Sequence, residues 1–195
     1  VTQLVANNTV QYGVSDSEIL FDFLNGKPIV VIGAIFQHSP YVLLSLADAN
    51  IHTPADLVGK RVMLAENQGA TQLKAMLKNE GIGLDKLTIV PHSWNIHDLV
   101  NHKVDAVSAY VSAEPNYLRS IGIEPALMSS TNYGVDFYGD TLFTSKSEIE
   151  NHPERVAAFW RASQKGWQYA LNHKEETVEQ ILKMPGVKDR GITKE

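Results

Sequence analysis

The chain has 195 residues, with 17 Lys plus Arg against 22 Asp plus Glu for a formal charge of −5, and it contains no cysteine. At roughly 100–200 residues per domain, this length fits one large domain or two small lobes, and a hydrophobic content of 44% excludes a disordered tail. The missing cysteines remove disulfide scaffolds, thiolate nucleophiles and Cys-based zinc or iron–sulfur sites, while an acidic chain with scattered basic residues argues against nucleic acid as a partner.

In chain order, Ser15 and Glu18 read as a capping box ahead of an apolar stripe at Ile19, Leu20, Phe23 and Leu24, with Gly26 as the stop. Pro28 to Phe36 is an almost unbroken Val- and Ile-rich run, which predicts a strand buried on both faces. Thr53, Pro54 and Asp56 start a short helix that Gly59 ends. Alternation follows: strand at 61–65, helix at 70–80 closed by Gly81, strand at 87–91, helix at 96–102, strand at 105–110, helix at 114–121 and strand at 125–129. Such alternation implies βαβ units around a parallel sheet. After a turn-rich aromatic segment at 132–140, a long helix is expected from Pro153 to Leu171. Its Trp160 and Trp167 read as core packing, and a last helix at 175–184 is stopped by Pro185–Gly186. The layout predicts an α/β fold in two lobes, residues 1–57 and 133–195 forming the first and 58–132 an inserted second, with a ligand cleft between them.

No apolar run approaches the roughly 20 residues that span a bilayer. The nucleotide-loop, nucleophile-elbow and zinc-protease motifs are absent. His92, His97 and His102 recur at a spacing of five, which neither helix nor strand brings to one metal, so they read as surface histidines and no cofactor or metal is expected. Four stretches at strand ends carry the candidate chemistry. Phe36, Gln37, His38 and Ser39 follow the buried strand, on the rim where α/β sheets bind ligands, or form an ordinary Ser–Pro turn. Gly69, Ala70 and Thr71 open a helix whose first backbone N–H groups suit an anion, or simply cap it. Tyr110 and Glu114 follow another strand; the carboxylate can accept from an amino or amidine-like group, or complement the first turn of its own helix. Tyr138 and Asp140 lie in an aromatic–acidic segment able to hold a planar ring, with Trp94 a partner by position.

The segments VVIGAIFQHSPYVLLSL and TPADLVGKRV, the stretch Tyr110-Val111-Ser112-Ala113-Glu114-Pro115, and GVDFYGDTLF followed by HPERVAAFWRASQKGWQYAL resemble the thiamine-biosynthesis-like branch of bacterial type II periplasmic solute-binding proteins. These are related to binders of thiamine pyrimidine precursors and, more distantly, of nitrate, sulfonates and taurine. The resemblance implies two α/β lobes closing on a small ligand and a periplasmic or extracytoplasmic location. It also implies a membrane transporter or an attached signalling module as the reader of closure. Glu114 would hold the exocyclic amine or ring nitrogen of a pyrimidine-like ligand. Gln37, His38, Ser39, Gly69–Thr71, Tyr138 and Asp140 would line the rest. The family opens with a strand–helix–strand unit that this sequence is expected to lack, and Val1, with no leader before it, is expected to mark excision from a longer chain. The cysteine-rich motif of the pyrimidine synthases with this fold is absent, which points away from catalysis. The alternative class is the effector-binding domain of a transcription regulator, which shares the two-lobe fold.

Overall fold

In a computed structural model, which describes residues 1–65 and 68–187 with the side chains of 68–70 excepted, the chain builds two sheets. The smaller has three antiparallel strands in the order β1 (Tyr12–Ser15), β8 (Thr141–Ser145), β2 (Ile29–Ala34). The larger has five, in the order β5 (Thr88–Pro91), β4 (Arg61–Leu64), β6 (Ala106–Tyr110), β3 (Tyr41–Leu46), β7 (Pro125–Ser129).

Alternation along β3 explains the five-stranded sheet. Leu43 points to one side with Val62, Leu64, Ala106 and Met128, where Leu73, Met76 and Leu77 of helix α3 (Gln68–Asn79) cover them. Val42, Leu44 and Leu46 point to the other with Met63, Val107 and Ala109, under Leu99 of α4 (His97–Val100) and Leu118 of α5 (Glu114–Ser120). Period-two side chains thus feed two cores from one strand. The expected parallel sheet is mixed: β4 runs parallel to β5 and β6, while β3 is antiparallel to β6 and β7. Because β3 belongs here, the boundary expected at residue 57 does not separate the sheets. The Thr53–Asp56 capping box is real, and it closes a turn between β3 and β4 of the same sheet. The chain passes from the small sheet to the large one between Ala34 and Tyr41.

The small sheet has a thin core. Val5 of α1 (Thr2–Ala6), Ile19 of α2 (Ile19–Leu24), Ile29 and Phe143 are buried together, and Gly13 makes room for the Phe143 ring, which a Cβ there would meet at 2.7 Å. The strand expected to be buried on both faces is not: Val31 is exposed, and only Ile29 of β2 is buried. Its strand lies at a sheet edge, and a groove runs along each face. Trp160, on α7 (Pro153–Asn172), lies against the backbone of Gly33, where a Cβ would collide with the indole. Trp167, expected in the core, is exposed in the same groove, because α7 rides over the sheet and buries none of its residues. Behind β8, Glu148 of α6 (Lys146–Asn151) is buried and held by two guanidinium nitrogens of Arg155, Nε and Nη2, each at 2.7 Å, and by the Tyr12 hydroxyl at 3.1 Å. The final helix is α8 (Lys174–Lys183). No helix among the described residues is long and apolar enough to cross a membrane.

Candidate functional site

Two chain segments connect the sheets, and they run side by side. The Ile35 and Phe36 amides both donate to the Asp140 carbonyl, at 2.7 and 3.3 Å, and the Gly139 amide returns a bond to the Phe36 carbonyl at 3.1 Å. A side chain at residue 139 would meet Phe36 and Pro40 at 2.7 Å, so glycine is required for this approach. His38 Nδ1 lies 2.6 Å from an Asp136 carboxylate oxygen, and the Ser17 hydroxyl donates to the Tyr138 carbonyl.

Where this ribbon meets the ends of β1 and β6, three aromatic rings form a corner. Tyr41 and Tyr110 meet edge-on with centroids 5.1 Å apart, and Phe36 stands edge-on to Tyr110 at 6.2 Å. Asp16, Glu18 and Asp140 are close enough to act on it electrostatically. Burial raises the pKa of all three carboxyls, and neighbouring carboxylates raise those of Asp16 and Glu18 further. The two phenols are pushed up to about 12, first by burial and then by this negative field from Asp16 and Asp140, joined by Glu18 at Tyr41. Carboxylates with raised pKa values in a half-buried recess favour an incoming positive charge or hydrogen-bond donor. Thr71, in the first turn of α3, joins this side, its hydroxyl 3.5 Å from a Glu18 carboxylate oxygen.

Of the residues singled out from sequence, Phe36, Thr71, Tyr110 and Asp140 therefore come together. Gly69 and Ala70 belong to the same first turn of α3, but their side chains lie outside the described ones. Glu114 is adjacent: one of its oxygens accepts the Tyr110 amide at 2.8 Å, so it braces the strand end that carries the tyrosine. Ser39 caps the start of β3, accepting the Tyr41 amide at 3.2 Å. Gln37, His38 and Tyr138 face instead an apolar groove of about 840 Å³ against the small sheet, which they share with Ile19, Leu20 and Phe23. Three residues of the corner escaped the sequence reading: Asp16, Glu18 and Tyr41. For the two carboxylates, the expected Ser15–Glu18 capping box is the reason. Ser15 ends β1, and Asp16 makes the turn, its carboxylate accepting the Glu18 amide at 2.9 Å.

Trp94 lies apart, on the loop after β5. It is 76% exposed and has φ +59°, a left-handed conformation that costs a bulky residue about 1–3 kcal/mol. Its amide donates to His92 Nδ1 at 3.0 Å, and its indole leans on the same imidazole with centroids 4.4 Å apart. Because Nδ1 accepts, the ring proton sits on Nε2, which points at the Ser108 carbonyl of β6 at 3.1 Å. Among the described residues, no three His, Asp or Glu side chains gather in a way that could hold a metal ion.

A family model described as NMT1/THI5 like matches residues 1–177. The chain belongs to that family. A relative named formylaminopyrimidine-binding protein, from Halalkalibacterium halodurans, is 24% identical over 187 residues, covering 92% of this chain and 56% of its own length. A second, named 4-amino-5-hydroxymethyl-2-methylpyrimidine phosphate synthase, from Legionella pneumophila, is 24% identical over 184 residues, covering 92% of this chain and 58% of its own. The chain thus spans little more than half the length of these relatives. Among solved structures, the periplasmic aliphatic sulphonate binding protein SsuA from Escherichia coli superposes with a TM-score of 0.75 at 14% identity, over 93% of this chain and 63% of that one. The family and these neighbours establish the fold as the two-lobe α/β architecture of periplasmic binding proteins.

Proposed function

We propose that the chain is the ligand-binding part of a non-enzymatic solute-binding protein that takes a small heteroaromatic amine of the aminopyrimidine class between its lobes. Such a protein would work outside the cytoplasmic membrane and hand its ligand to a membrane transporter. The observation that carries this reading is the aromatic corner of Phe36, Tyr41 and Tyr110 in the field of Asp16, Glu18 and Asp140. Aromatic edges and faces suit a planar ring, and carboxylates in a half-buried recess select amino or protonated ring nitrogens over anions. The relative named as a formylaminopyrimidine-binding protein supports the same ligand class.

Thr71 belongs to the helix that covers the larger sheet and Glu18 precedes the helix that covers the smaller one, so in this reading a ligand touching both would favour a closed arrangement, and a few kcal/mol of preference suffices for a transporter to read it. Calorimetric titration with 4-amino-5-hydroxymethyl-2-methylpyrimidine and with hexanesulfonate tests the reading. Binding of the pyrimidine alone is expected; binding of the sulfonate alone would overturn it.

A further inference from the structure

Trp94 combines three properties that a surface loop does not need. Its indole is mostly solvent-exposed, its backbone holds a left-handed conformation unfavourable for a bulky side chain, and the loop spends several hydrogen bonds on keeping it there. Besides the His92 bond, the Ser93 hydroxyl donates to Asp98 at 2.7 Å and accepts the Asn95 amide at 3.3 Å, and the Asn95 side chain accepts the His97 amide at 3.1 Å. Strain maintained by this many local bonds marks a side chain whose position matters more than its burial.

The position is the edge of the larger sheet at the carboxyl ends of its parallel strands. β4, β5 and β6 are parallel, so the ends that carry α3, Trp94 and Tyr110 lie at one edge of the sheet, where open α/β sheets bind ligands. His92 ties the loop to that edge, reaching past the end of β4 to the Ser108 carbonyl, two residues before Tyr110. We infer that Trp94 is the stacking plane that the larger lobe brings onto the ring of a planar ligand, and that His92 is the positioning residue that presents it. This rests on the aminopyrimidine reading and adds a specificity-determining residue to the same site. The indole supplies an electron-rich face to a ring held by carboxylates, which favours electron-poor or cationic heterocycles.

The Trp94 amide reaching the side chain two residues before it has the form of an Asx turn, so asparagine at 92 can reproduce the bond and alanine cannot. The test titrates the 195-residue chain with 4-amino-5-hydroxymethyl-2-methylpyrimidine, by calorimetry and by tryptophan fluorescence. Wild type should bind with a change in emission. Trp94→Phe should bind without that change, which assigns it to this indole and excludes Trp160 and Trp167. Trp94→Ala, an exposed position whose fold is checked by circular dichroism, should bind about 5- to 150-fold more weakly, the range for loss of one aromatic–base stack. His92→Ala should weaken binding in the same direction, and His92→Asn should restore it. Unchanged affinity in Trp94→Ala with emission still responding would overturn the inference and leave the aminopyrimidine reading standing. No heat with wild type would overturn both.

Discussion

Replacing Phe143 by alanine separates the two sheets energetically. The side chain is fully buried and sits with Val5, Ile19 and Ile29 in the buried apolar cluster under the small sheet. At about 1.5–3 kcal/mol for each fully buried apolar side chain, those four residues supply on the order of 10 kcal/mol. A Phe-to-Ala truncation costs about 3–5 kcal/mol once the cavity is included, a third to a half of that support. Collapse of the cavity is hindered because the ring rests on the bare backbone of Gly13. The large sheet draws on two separate cores, one on each face. The loss should therefore appear as local unfolding, short of a global transition. Hydrogen exchange read by mass spectrometry is the assay. Amides of β1, β2 and β8 should lose most of their protection while those of β3, β4 and β6 keep theirs. Equal loss of protection in both sheets would refute the reasoning and show that the small sheet has no independent energetic identity.

Two other outcomes follow from the charges. Asp140→Asn removes a carboxylate whose pKa is raised by burial; the folded protein holds its proton more tightly than the unfolded chain, so the ionised form works against folding at neutral pH. The variant should melt higher than wild type at pH 7, lose that advantage as the pH falls through the carboxylate range, and bind the pyrimidine about 1–3 kcal/mol more weakly. An unchanged affinity would remove Asp140 from the site. Glu148 shows the opposite sign: hydrogen bonds from Arg155 lower its pKa, so its stabilisation is present above its unfolded value near about pH 4 and is lost as the pH falls through the folded one. Glu148→Gln should cost about 1–3 kcal/mol in denaturant titrations at pH 7 and converge on wild type in acid; a pH-independent difference would show that packing, and not charge, is what the residue contributes.

Most of the large sheet was legible because its elements carry local punctuation. Gly59 and Gly81 adopt the positive φ angles their stop positions require, and the Thr53–Asp56 box caps its turn. The strands that escaped lack such marks. Thr141–Ser145 is buried throughout despite three hydroxyl side chains, two of which bond to the carbonyls of Ser15 and Gln11; hydropathy does not see a buried residue satisfied by a distant backbone. Tyr41–Leu46 is nearly continuous in apolar character and gives no sign of which sheet it joins. At the aromatic corner, Phe36, Tyr110 and Asp140 are singled out by the sequence because they sit at strand ends. Asp16 and Glu18 are hidden by a plausible local explanation, a helix cap, and only the return of the ribbon brings Asp140 into the field of Asp16.

The register of the small sheet skips a residue. Val31 pairs with Phe143 and Gly33 with Leu142, so Ile32 is the extra residue of a bulge on β2. That strand, Ile29–Ala34, is an outer one and carries no charged side chain, the combination most prone to recruit a neighbouring molecule edge to edge. An irregular ladder is a poor template, because a second straight strand cannot match its spacing. A bulge at this place thus makes the edge a poorer match for a second strand, an effect that lysine or proline produces on other edges.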